Sequence, residues 1–150
     1  MTYKDILDSL PYSEPFLFVD EILSVSEEAI KGTYTFQPDA FFYRGHFKGN
    51  PVTPGVILTE CMAQIGLVCF GIYLLMEEAI SKKTTFALSS NEMEFYIPVY
   101  PGEKITVVSE KIYFRFQKLK CKVRMMNEKA EVVALGTLSG MMINGKKNKE

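Results

Sequence analysis

Three features of this chain could do chemistry. His46 is the only histidine and sits in Arg44-Gly45-His46-Phe47-Lys48-Gly49, between glycines that let the backbone turn tightly around it. An imidazole on such a loop can take a proton near neutral pH. A lone histidine can as well be a structural group, hydrogen-bonded within the fold. Glu60 has Leu58, Cys61 and Met62 as neighbours. A carboxyl in that company must find a partner or be kept protonated by desolvation, and a protonated carboxylic acid is a proton donor. The alternative, a surface glutamate complementing the helix dipole, fits these apolar neighbours less well. The third feature is Pro54-Gly55-Val56. Free N–H groups at a helix start favour developing negative charge, and glycine lets a carbonyl oxygen come close. A Pro-Gly helix start is common, so alone it is nonspecific.

These residues need elements to hold them. Thr2 to Leu10 suits a short helix ended by Pro11, and Phe16 to Val25 suits a first strand. Ile30, Gly32, Tyr34 and Phe36 alternate with Lys31, Thr33, Thr35 and Gln37, the period of a half-buried strand. From Pro38 to Pro54, aromatics, glycines and prolines make an irregular loop. VILTECMAQIGLVCFGIYLLMEE then reads as one long helix, with Glu60 and Gln64 four apart on one face. It is long enough for a bilayer. Glu60 and Gln64 argue against a span, as does the need of the surrounding strands for a core. Four further strands follow, the clearest with Leu119, Cys121, Val123 and Met125 on one face and Lys118, Lys120, Lys122 and Arg124 on the other. The plan is α+β: one long central helix wrapped by a curved antiparallel sheet.

With 150 residues, 47% of them hydrophobic, the chain reads as a single domain over 1–150, with 1–9 an N-terminal segment and 144–150 a flexible tail. The net charge of −1 gives no general case for nucleic acid or an anionic membrane, so an acidic partner must be met by a local patch. Cys61, Cys69 and Cys121 lie in apolar runs without metal-ligand spacing, which suits reduced buried thiols and a cytoplasmic location. The N-terminus MTYKDILDSL lacks an apolar core and carries Asp5 and Asp8, unlike a secretory signal.

Together, GHFKGNPVTPGVILTECMAQ (Gly45 to Gln64) closely resembles the signature of the FabZ-type (3R)-hydroxyacyl-[acyl carrier protein] dehydratases. The glycine-histidine-phenylalanine, the proline steps ending in proline-glycine, the acidic residue and the glutamine four later all fall in register. LPYSEPFLFVDEIL and MEFYIPVYPGEKITV extend the likeness to about Leu10–Ile143. The resemblance implies the hot-dog fold and active sites formed between two subunits of a homodimer or a trimer of dimers. It puts the catalytic histidine at His46, the catalytic glutamate at Glu60, the oxyanion amide at Gly55 and the helix glutamine at Gln64. Glutamate rather than aspartate at position 60 resembles the branch that dehydrates without isomerising. Tyr12 and Ser13 stand where histidine and arginine are usual, and Lys48 where proline is usual. These departures bear on loop geometry, carrier docking and the pathway served, whether ordinary fatty-acid synthesis or a polyene-like acyl chain.

The implied reaction is loss of water from a (3R)-3-hydroxyacyl thioester. His46 would take the C2 proton, Glu60 of the other subunit would protonate the leaving hydroxyl, and the Gly55 N–H would bind the thioester oxygen. No metal or organic cofactor is called for. An acyl tunnel would be lined by Phe42, Phe47, Val56 and Phe86, since a flexible hydrocarbon gains by leaving water. The acyl carrier protein is the expected partner, and Arg44, Lys48, Lys82 and Lys83 are candidate contacts to its acidic surface. The rivals are a hot-dog thioesterase and a noncatalytic acyl-binding subunit.

Overall fold

The computed structural model describes residues 2–75 and 85–143. Helix α1 (Tyr3–Asp8) opens with a capping box, in which Thr2 accepts from the Asp5 N–H and Asp5 accepts from the Thr2 N–H. Strands β1 (Glu21–Val25) and β2 (Ala29–Thr35) follow, then a loop holding a single 3₁₀ turn, Phe41–Arg44. Helix α2 runs Gly55–Leu75. Strands β3 (Thr85–Phe95), β4 (Lys104–Arg115), β5 (Lys118–Met126) and β6 (Val132–Ile143) complete one sheet in the order β1-β2-β4-β5-β6-β3. Every pairing is antiparallel.

The sheet faces α2 with its apolar side, the hot-dog arrangement. Ile105 and Val107 of β4, with Leu119, Cys121, Val123 and Met125 of β5, are buried with Leu58, Met62, Ile65 and Leu67 of the helix. Although α2 is long and apolar enough to cross a membrane, 78% of its most apolar window is buried within the protein, as a core helix requires. Two glycines set how close it lies. A Cβ on Gly66 would come within 3.0 Å of Ser109, and one on Gly71 within 2.1 Å of the Phe86 ring. Ser109 Oγ also donates to the Gly66 carbonyl at 3.0 Å, which satisfies a buried hydroxyl.

Two features differ from the sequence expectation. The first strand begins at Glu21, not Phe16. The Phe18 N–H and the Phe16 carbonyl, which a strand would pair with a neighbour, are held instead by the Gln64 side chain. The helix is also not uniform: Gln64–Cys69 takes the wider π pitch, with all six residues buried. Lys82, Lys83 and the expected tail at 144–150 lie outside the described residues.

Candidate active site

His46 lies on the loop between β2 and α2, directly after the 3₁₀ turn, and is partly buried. Its Nδ1 is 2.8 Å from the Val52 carbonyl oxygen. A carbonyl only accepts, so Nδ1 carries a proton, and in the neutral ring the lone pair is on Nε2. The Phe47 ring stacks on the imidazole, centroids 4.1 Å apart, and the His46–Phe47 peptide bond is cis. The loop is stapled beneath: the Tyr43 and Thr53 hydroxyls hydrogen-bond in the interior, and the Thr53 N–H donates to the Val99 carbonyl at 2.8 Å. The Val52 N–H donates to the His46 carbonyl at 2.8 Å, closing the turn on itself.

Glu60 is half-buried on the second turn of α2, and Gln64 one turn later is fully buried. The Gln64 amide is locked at both ends. Its Oε1 accepts from the Phe18 N–H at 2.8 Å, and its Nε2 donates to the Phe16 carbonyl at 3.1 Å. The remaining N–H of Nε2 is aimed at Glu60 Oε2, 3.0 Å away. Desolvation raises the Glu60 pKa above the ordinary carboxyl value, and the Gln64 bond opposes part of that rise. The site thus holds a carboxyl whose proton is retained more readily than on an open surface.

At the head of α2, the Pro54 carbonyl takes the Ile57 and Leu58 N–H groups at 2.9 and 3.1 Å. Among the described residues, the Gly55 and Val56 N–H groups find no partner. The Phe95 ring lies 3.4 Å from the point a Gly55 Cβ would occupy. A recess of about 220 Å³ opens there, lined by Thr53, Gly55, Leu58, Phe95, Tyr96 and Ile97, among others. It has the polar donors and apolar walls that a thioester carbonyl and its chain would need.

Within one chain His46 and Glu60 do not touch: the former's polar contact is Val52 and the latter's is Gln64. The proposed tunnel residues are scattered. Val56 and Phe47 are open to solvent, Phe42 packs partly buried against Phe18 and Tyr43, and Phe86 is buried in the core against Phe114. Arg44 and Lys48 are exposed on the His46 loop. Among the described residues no group of three or more His, Cys, Asp or Glu side chains could hold a metal ion. Sequence reasoning missed Val52, Phe16 and Phe18, which act through backbone groups and leave no side-chain signature. It also missed the Tyr43–Thr53 pair and Phe95.

A family model described as the FabA-like domain matches residues 10–137. The chain belongs to the FabA-like family. A 3-hydroxyacyl-[acyl-carrier-protein] dehydratase FabZ of Caldicellulosiruptor bescii is 36% identical to this FabA-like chain over 134 residues, covering 89% of this chain and 92% of that protein. One of a Wolbachia species is 32% identical over 147 residues, covering 94% and 96%. In fold, the family member is similar to a solved thioesterase of Haemophilus influenzae, with TM-score 0.61, 19% identity and coverage of 85% of this chain and 80% of that one. That likeness concerns the hot-dog fold alone.

Proposed function

We propose that this chain removes water from (3R)-3-hydroxyacyl thioesters carried on an acyl carrier protein, giving trans-2-enoyl thioesters in fatty-acid or related acyl-chain synthesis. The dehydratase relatives over nearly the full chain support the reaction class. The observation that carries the mechanism is the pairing of an Nδ1-anchored imidazole with a desolvated carboxyl. In the neutral imidazole, the Nδ1–H bond to the Val52 carbonyl selects the tautomer whose Nε2 can accept a proton. Desolvation raises the Glu60 pKa, against the lowering pull of the Gln64 bond, which favours a carboxyl that can give up a proton in the reaction. An elimination needs that pair, a base for the C2 proton and an acid for the departing hydroxyl. As the C2–H bond breaks, the thioester oxygen gains charge, and in this proposal the unpartnered Gly55 N–H donates to it. Hydroxide leaves as water with the Glu60 proton, and exchange with solvent then removes the C2 proton from His46 and restores one to Glu60.

The two side chains do not meet within one chain, so the working unit in this proposal is a homodimer in which His46 of one protomer faces Glu60 of its partner. Strand β3 supports that reading. It is a sheet edge of eleven residues, paired on one side by β6, with Leu88 and Phe95 exposed on it and Tyr96 exposed just beyond. A long edge left open is a template for another strand. Pairing two such edges would set the recess between Gly55 and Phe95 beside the partner. Buried unpaired Cys61, Cys69 and Cys121 suit a reducing, cytoplasmic setting.

The test is product identity. A 3-hydroxyacyl thioester incubated with the full chain is expected to yield the enoyl thioester, seen by its conjugated absorbance, with no free thiol. Release of free thiol and acid would mean that the fold serves as a thioesterase and would end this proposal.

A further inference from the structure

The β4–β5 hairpin ends in a turn that the fold itself does not require. Its central residues, Phe116 and Gln117, have φ of 51° and 64°. This is the left-handed geometry for which Asn-Gly is the usual choice. A bulky aromatic there is strained, and Phe116 is 89% exposed. Neither strain nor exposure helps the chain fold, so the reason for a phenylalanine lies in what it meets outside the chain.

Around it, charge is segregated. From Lys111 to Met126 the sequence holds Lys111, Arg115, Lys118, Lys120, Lys122 and Arg124 and no carboxylate, in a chain of net charge −1. Because Leu119, Cys121 and Val123 point into the core, alternation puts the β5 lysines on the outer face. Arg115 lies opposite Lys118, and Lys118 opposite the exposed Met141. Lys120 lies between Tyr113 and Ser139, and Arg115 stacks on Tyr113 at 4.0 Å. Glu110, opposite Lys122, is the one carboxylate beside this column in register. Among the described residues the one ion pair is Lys4–Asp8, so none of these cations pairs with a described carboxylate.

We propose that this hairpin end is a peripheral membrane contact: Phe116 enters the headgroup region of an anionic lipid bilayer while Arg115, Lys118 and Lys120 lie over its phosphates. A protruding aromatic ringed by cations is the pattern of an interfacial anchor, with the ring below the headgroups and the charges level with them. The cluster is local and does not depend on the overall charge. A two-residue tip offers no groove to hold a protein segment, whereas a bilayer deforms around it.

The experiment is flotation of the full chain with vesicles of phosphatidylglycerol and phosphatidylcholine in equal parts, against phosphatidylcholine alone. Wild type is expected on the anionic vesicles only, and to leave them as salt rises. Phe116→Asn with Gln117→Gly installs the preferred turn, so the chain stays folded, yet binding should fall about tenfold. Lys118→Gln and Lys120→Gln should each cost about fivefold. Wild type absent from anionic vesicles, equal binding to neutral ones, or an unweakened turn variant would each overturn the proposal. So would a raised KM for a carrier-borne thioester in the lysine variants without vesicle binding by wild type, which would assign the surface to an acidic protein.

Discussion

Replacing Gln64 by leucine tests the link between the fold and the acid of the site. The buried amide satisfies the Phe18 N–H and the Phe16 carbonyl, and donates to Glu60. Leucine fills a similar volume but leaves the buried Phe18 N–H unpaired, at a cost of about 2 kcal/mol. The Phe16 carbonyl lies nearer solvent and adds less, so the expected loss is about 2–3 kcal/mol. For a domain of this size that is a melting temperature lower by about 5–10 °C. The second effect concerns protons. The Gln64 bond favours the charged form of Glu60 and opposes the rise caused by desolvation. Without it the Glu60 pKa rises further, and the alkaline limb of the kcat profile, where the acid is lost, moves to higher pH. Thermal unfolding and a pH profile of turnover read the two effects separately. An unchanged melting temperature, or an alkaline limb that stays put or moves down, would refute the reasoning.

Glu60→Gln should abolish turnover while the chain still folds. Its pH dependence has a definite sign. Glu60 has a folded-state pKa above the unfolded one, so its contribution is complete below the unfolded pKa and is lost as pH rises through the folded value. The glutamine variant therefore gains on wild type across that window in denaturant unfolding, and a relative gain by wild type would contradict the burial of the acid. His46→Asn keeps an N–H for the Val52 carbonyl, so stability should stay within about 1 kcal/mol while turnover drops about 10²–10⁴-fold. Retained turnover would exclude His46 as the base. Gly71→Ala forces a methyl against the buried Phe86 ring and should destabilise by about 1–3 kcal/mol in urea melts, with no loss if the helix lies farther from the sheet.

Much of this architecture was legible because burial writes itself into residue type. The alternation of Leu119, Cys121, Val123 and Met125 with basic residues named β5 and its inner face, and the structure agrees at each position. His46, Glu60, Gly55 and Gln64 stood out because their types and spacing coincide with a chemical pattern. What stayed hidden lies in backbone groups and in pitch. Phe16 to Asp20 reads as a strand because its residues favour extension, yet the Phe18 N–H and the Phe16 carbonyl go to a glutamine far along the chain. No periodicity betrays that partner. The π turn at Gln64–Cys69 is equally silent, since a run that is apolar on every side has no face whose shift could be noticed. The left-handed Phe116–Gln117 turn was missed for the opposite reason: it lacks the glycine or asparagine that marks such turns.

In the proposed dimer, one working centre draws its base from one protomer and its acid from the partner. Mixed dimers of His46→Ala and Glu60→Gln chains, purified through two different tags, test it most directly. Each mutant alone is expected to be inactive, while the hybrid, with one intact centre of two, should recover up to about half of wild-type turnover. Verified hybrids as inactive as either parent would contradict the shared centre.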